Sequence, residues 1–202
     1  MYMNAVAKTP IKSPLLEERH LSIEEYYLRE EKALHKHEYH DGKVILMAGA
    51  KFKHNRLAHL SAFLLESFIQ NNSLNFTVNN SDTKIRIDKF NKIVYPDALV
   101  ICEEPKFYEN REDTITNPLL VVEVLSSSTS NHDRTTKFNM YRSLTSFKEY
   151  VLVYQDIVHV IVWTKQNDES WLPIDYIGLD AIATLKTIAN CPLELAKLYK
   201  DL

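Results

Sequence analysis

Apolar positions change their spacing several times along the chain, and each spacing predicts a different element. Leu57, Leu60, Leu64 and Phe68 recur at intervals of three and four. That lines one face of a helix starting near His54 and stopping at Asn71-Asn72. Val94 to Cys102 and Leu119 to Leu125 are instead continuously apolar. Their length and β-branched content predict strands covered on both faces. Ile85 and Ile87 alternate with Lys84 and Arg86, the period of a strand over Thr83 to Ile87, and Asn75 to Asn80 reads as a strand before it. Asp41-Gly42, flanked by H-K-H-E-Y-H and K-V-I-L-M-A, predicts a type I′ hairpin with Glu38 on its first strand. Ser22 and Glu25 form a capping-box signature, with Leu21 and Tyr26 as a hydrophobic staple, for a helix from Ile23 to about Ala33.

Downstream, Ser126 to Asn131 reads as a loop, and Arg134 to Leu144 as a helix with Phe138, Tyr141 and Leu144 facing inward. Tyr150 to Tyr154 and Ile157 to Thr164 are β-branched runs joined at Gln155-Asp156, which predicts a second hairpin. A strand around Trp171 to Ile177 and a short helix over Leu193 to Tyr199 complete the list of expected elements. Residues 1–14, with Pro10 and Pro14 and no period, are expected to be a loose arm. No linker or repeat divides residues 15–202, so one α/β domain is expected, with a mixed central sheet, flanking helices and added β-hairpins.

Composition narrows the function. A chain of 202 residues with 45% hydrophobic content buries a full core as one domain. It has no apolar run long enough for a membrane span and no secretory signal, which predicts a soluble cytoplasmic protein without a membrane partner. Cys102 and Cys191 lie far apart without metal-binding or redox spacing and are expected to be reduced thiols. Three glycines are too few for a phosphate-cradling loop, so kinase, P-loop and dinucleotide-binding readings fall away. The net charge of −3 does not mark a dedicated nucleic-acid binder, and the basic clusters around Lys51, Lys84 and Arg134 each read first as solvated faces.

The chemistry concentrates on two acids. Asp97 and Glu123 each sit in a strongly apolar run, where an uncompensated charge costs several kcal/mol, on the order given by burial of an unpaired ion. Alternation puts Glu123 on one strand face with Val121 and Leu125, opposite Val122 and Val124. If the two strands are neighbours the acids converge, as two hard oxygen ligands suited to Mg2+, with Mn2+ as the alternative ion. Lys137, on the following helix, is then the preferred candidate for orienting an attacking water or stabilising a negative transition state. The bland alternatives are a solvent-reaching Lys137, Asp97 as a turn residue after Pro96, and Glu123 as a buried ion-pair partner of Arg134 or Arg142.

Several motifs together resemble one family. They are Pro96-Asp97, N-P-L-L-V-V-E-V-L-S-S-S-T over Asn117 to Thr129, Asp133 with Lys137 and Tyr141, and Glu149-Tyr150 before a strand. With H-E-Y-H-D-G-K around Glu38 and His54 at the long helix, they resemble the Uma-type restriction endonucleases, a bacterial branch of the PD-(D/E)XK nuclease superfamily. The resemblance implies a restriction-endonuclease-like fold with a four-stranded mixed core sheet, magnesium dependence and hydrolysis of a nucleic-acid phosphodiester. It implies Asp97 and Glu123 as metal ligands, Lys137 as the helix-borne lysine, Glu38 as a further acid and His54 as a further site residue. Leu125 stands where the superfamily places its lysine, and Thr145-Ser146-Phe147-Lys148-Glu149-Tyr150 replaces the branch's usual G-V-P-E-Y-W. DNA is the expected substrate. A homodimer is expected because two symmetric sites most simply cut two strands. The alternatives are a catalytically inactive nuclease-fold module that binds DNA or protein, and a hydrolase of smaller phosphoesters.

Overall fold

The computed structural model describes residues 20–126, 132–200 and 202, with the side chains of residues 132–134 excepted. The expected N-terminal arm and the loop at 127–131 lie outside the described residues. The chain runs α1 (Ile23–Glu30), β1 (His37–His40), β2 (Lys43–Leu46), α2 (Phe52–Asn71), β3 (Phe76–Asn80), β4 (Lys84–Ile87), β5 (Lys92–Val94), β6 (Ala98–Cys102) and β7 (Phe107–Tyr108). It continues with β8 (Arg111–Ile115), β9 (Leu120–Leu125), a π-helical segment (His132–Lys137) leading into α3 (Phe138–Tyr141), β10 (Glu149–Tyr154) and β11 (His159–Lys165). Then come β12 (Trp171–Ile177), β13 (Ile182–Leu185), β14 (Cys191–Glu194) and α4 (Leu195–Leu198).

The strands build two six-stranded mixed sheets, ordered β2-β1-β5-β4-β8-β7 and β12-β11-β10-β9-β6-β3, and a small β13-β14 hairpin. The second sheet is the core of the molecule, wider than a four-stranded one. Its central strands β9 and β10 run parallel, Val122 opposite Val151, and antiparallel strands flank them. Parallel neighbours need a crossover, supplied here by the π-helical segment and α3. All six residues of β9 are buried, as its unbroken apolar run requires. Val122 and Val124 pack against Leu57, Leu65 and Ile69 of α2 and Leu195 and Leu198 of α4. Val121 and Leu125 pack on the other face with Ile85, Ile87, Phe138, Tyr141 and Tyr150. The alternation of β9 thus sends Glu123 to the face shared with α3 and the first sheet.

Local chemistry explains the boundaries. Ser22 and Glu25 close the capping box reciprocally, Ser22 N–H to Glu25 Oε2 at 3.0 Å and Glu25 N–H to Ser22 Oγ at 3.1 Å. Asp41 and Gly42 both take positive φ, 49° and 85°, as a type I′ turn demands, and β1 and β2 pair on either side. α2 starts at Phe52, slightly before the expected position. Its inner face is Leu57, Leu60, Ser61, Leu65 and Ile69, while Leu64 and Phe68 are half-buried at its margin.

Several expectations need correcting. Val94 to Cys102 is not one strand: β5 and β6 are separate, with Tyr95-Pro96-Asp97 between them, and belong to different sheets. Pro96 has no N–H to give a ladder, so the run breaks there. β11 begins at His159, because residues 155–158 form the connection and Ile157 is exposed. The expected C-terminal helix is shorter than read: α4 takes Leu195–Leu198, while Leu193 and Glu194 close the strand β14. β7, β8 and β13 lie in stretches that carry no apolar period, and pairing with neighbours defines them instead.

One buried group in the core is unpaired. Ser61 Oγ, on the inner face of α2, has no hydrogen-bond partner among the described residues. Ser61→Ala removes an unsatisfied hydroxyl and improves helix propensity, so it is expected to stabilise the fold by about 1 kcal/mol. Thermal unfolding followed by circular dichroism should show a midpoint raised by roughly 2–4 °C.

Candidate active site

The break at Pro96 brings the acids together. In the antiparallel register of β6 and β9, Leu99 faces Val121 and Ala98 faces Val122. One step further along that register, Asp97 comes opposite Glu123. Asp97 Oδ2 accepts the Val124 N–H at 2.7 Å, so its carboxylate takes over the ladder where the backbone of β6 has ended. Its other oxygen, Oδ1, lies 2.9 Å from His54 Nε2 in the first turns of α2. A helix packed on one face of the core sheet thereby fixes one acid at the sheet's end.

Glu123 is 3% exposed and faces the π-helical segment and α3. Lys137 Nζ donates to its two oxygens at 3.1 and 3.2 Å, and Tyr141 OH donates to Oε1 at 2.9 Å. The ammonium does not reach solvent, since Lys137 is only 8% exposed. Lys137 and Tyr141, four residues apart, present one face of this helical stretch to Glu123. Burial is the main cause that pushes the Tyr141 hydroxyl far above its usual pKa, and the Glu123 charge adds to it, so Tyr141 remains a donor. Arg142, a sequence candidate for pairing with Glu123, lies over the rings of Phe138 and Trp171 at 5.4 and 6.0 Å. Arg134 lies among the side chains that are not described.

Glu38 enters from the other sheet. Its Oε1 is 3.9 Å from Lys137 Nζ and accepts the Tyr95 N–H at 3.4 Å, while Oε2 is 2.8 Å from His40 Nε2. Burial alone raises the Glu38 pKa, but the His40 hydrogen bond and the Lys137 charge outweigh it and hold the carboxyl below its ordinary value. The structure therefore brings all five sequence candidates together in two adjoining sets, Glu38 with Lys137 and Glu123, and His54 with Asp97, which meet where Asp97 takes the amide next to Glu123. It adds His40 and Tyr141. His40 was legible as the residue two beyond Glu38 on the same strand face, and Tyr141 as the residue one turn beyond Lys137.

Glu123 and Glu38 lie 3.1 and 3.9 Å from the one ammonium and Asp97 stands opposite Glu123, which leaves an excess of carboxylates over lysines among the described residues. Such an excess in a half-closed site favours a cation. No group of three or more His, Cys, Asp or Glu is disposed to hold a metal among the described residues. Two acids are nevertheless enough for magnesium, which keeps several waters and takes the remaining oxygens from a phosphate. The donor set, hard carboxylate oxygens on adjacent strand positions, fits that ion. No helix among the described residues is long and apolar enough to cross a membrane.

Comparison with known proteins places the chain in a family. The chain is 38% identical over 161 residues to the uncharacterized protein sll1609 of Synechocystis sp. (strain ATCC 27184 / PCC 6803 / Kazusa), covering 80% of this chain and 90% of that one. It is 35% identical over 170 residues to slr1290 of the same organism, also described as uncharacterized, covering 83% and 86%. In three dimensions it is similar to the crystal structure of a putative nuclease belonging to DUF820 from Anabaena variabilis ATCC 29413. The TM-score is 0.68 at 16% identity, over 89% of this chain and 97% of that one, which shows a shared nuclease-like fold. The family model Uma2, described as "Putative restriction endonuclease", matches residues 23–196, from α1 to α4 and across the whole candidate site. The chain belongs to the Uma2 family.

Proposed function

We propose that this protein is a magnesium-dependent endonuclease that hydrolyses DNA phosphodiester bonds. The observation that carries the reading is the Lys137 ammonium, turned inward and bonded to Glu123 beside the register position of Asp97. Asp97 and Glu123 would hold the ion, which when bound polarises a phosphoryl oxygen and lowers the pKa of water. Lys137 Nζ orients the attacking water and donates toward the negative charge that develops on the phosphate. Tyr141 OH and His54 Nε2 fix the two carboxylates so that little reorganisation is needed when substrate arrives. Glu38 holds the Lys137 charge from the second side. Leu125 fills the superfamily's lysine position and is 2% exposed in the core, so Lys137 is the cation available to this chemistry among the described residues. A homodimer with two such sites would cut both strands.

Plasmid incubated with the protein should be nicked or linearised in magnesium or manganese and remain intact in EDTA. Calorimetry should detect ion binding that Asp97→Ala weakens by about 10-fold or more, the usual scale for loss of a ligand or its support. Intact plasmid in both ions, combined with retained DNA binding, would instead identify an inactive nuclease-fold binding module.

A further inference from the structure

We propose that the outer face of α2 is the track for an unpaired nucleic-acid strand entering the candidate centre. This rests on the nuclease reading and adds that a strand of the substrate reaches the centre unpaired. α2 begins beside the centre, where His54 meets Asp97 at 2.9 Å. On its outward side Phe52, Arg56, His59 and Phe63 follow one another at spacings of four, three and four, a single stripe along the helix. Phe52 is 78% exposed and Phe63 56%. Two phenyl rings so exposed on one short stripe are unusual unless something covers them.

The flanking chemistry identifies the occupant. Lys51, Lys53 and Arg56 surround the first turns, and no acid appears on α2 before Glu66. The start of the stripe, next to the centre, is thus positive in a protein of net charge −3. The His59 ring stacks on Phe63, with centroids 6.5 Å apart and planes 18° apart, which forms a flat aromatic step. Beyond it lies a groove of about 390 Å³ lined by His59, Ala62, Phe63, Glu66, Val78, Asn79 and Asn80. Exposed rings along the stripe offer faces to bases, and the cations at its start offer charge to phosphates. Bases stacked inside a duplex offer no face to a phenyl ring, so the geometry selects an unpaired strand. From Phe52 to Phe63 the helix rises roughly 16 Å, enough for a few nucleotides.

Labelled oligonucleotides of about 10 nucleotides, single-stranded and duplex, can be titrated with the full chain by fluorescence anisotropy in EDTA, where nothing is cleaved. The single strand should bind more tightly than the duplex. Phe63→Ala should weaken single-strand binding by roughly 5- to 100-fold with duplex binding unchanged, the range for loss of one stacking platform. Phe52→Ala, at the first position of α2, should act in the same direction and tests the track where no groove packing is disturbed. Lys53→Ala should lower the slope of log affinity against log salt by about 0.7. Preference for duplex, or wild-type single-strand affinity in both phenylalanine variants, overturns the proposal. Such a result together with magnesium-dependent cleavage removes the track and leaves the nuclease reading standing. Phenylalanine-dependent strand binding without cleavage under either ion does the reverse.

Discussion

Glu123→Gln is expected to lower the rate of DNA cleavage by about 10³-fold or more, the scale for losing a metal-binding, charge-stabilising group. The substitution keeps the shape of the side chain and an oxygen for the Tyr141 hydroxyl, but removes the charge that holds Lys137 Nζ at 3.1 and 3.2 Å. Glu123→Ala should be equally inactive and less stable than the glutamine form by about 3 kcal/mol, because it also leaves a cavity and strands the buried Tyr141 hydroxyl and Lys137 ammonium without any acceptor oxygen. The pair of variants separates chemistry from folding. Initial rates on plasmid in magnesium or manganese, read beside thermal midpoints, should show both variants inactive and the alanine form the more destabilised of the two. Cleavage by Glu123→Gln within about tenfold of wild type would remove Glu123 from the chemistry.

Glu149→Ala should be the most destabilising single change in the core sheet, by about 3–4 kcal/mol. Glu149 opens β10, is fully buried, and has no cation among its described partners. Its Oε1 accepts from Thr164 Oγ1 at 2.9 Å and from the Lys186 N–H at 3.0 Å. Oε2 accepts from Thr187 Oγ1 at 2.6 Å and from the Thr187 N–H at 3.3 Å. One carboxyl thus ties the core sheet to the turn between β13 and β14. Burial raises its pKa in spite of these donors, which marks a side chain held for structure in a dry site. Its loss strands two backbone N–H groups and two hydroxyls, and the thermal midpoint should fall by roughly 10 °C. Glu149→Gln, which keeps one full acceptor, should lose about half as much. An unchanged midpoint in Glu149→Ala would show that the turn is anchored by other contacts.

How far the sequence reveals such features depends on whether the signal is local. The capping box at Ser22, the Asp41-Gly42 turn and the buried run of β9 are written in short patterns, and the fold uses them as read. Asp97 and Glu123 stood out because charge in an apolar run demands a partner, and Lys137 because the family resemblance places a lysine on the following helix. The pairing of Glu123 with Lys137, however, spans the crossover from β9 to α3 and no periodicity encodes it. β8 escaped notice because its residues satisfy one another across space: Asp113 takes Lys84 at 2.6 Å and Arg111 at 3.0 Å, so charged positions line a sheet that composition reads as loop. The end of β14 was read into the C-terminal helix because Leu193, Leu195 and Leu198 fit either period until Ile182–Leu185 pairs with Cys191–Glu194.

The strand interruption at Pro96 also has a mechanical consequence. Asp97 stands where the chain passes from one sheet to the other, and the candidate centre straddles that seam. One half is stiff: Asp97 is bolted to the Val124 amide and Glu123 grows from the central strand. The other half, Glu38 on its hairpin, meets Lys137 only at 3.9 Å. Any relative sliding of the two sheets is therefore taken up at the Glu38 side, as play in a joint, while the two facing acids keep their separation.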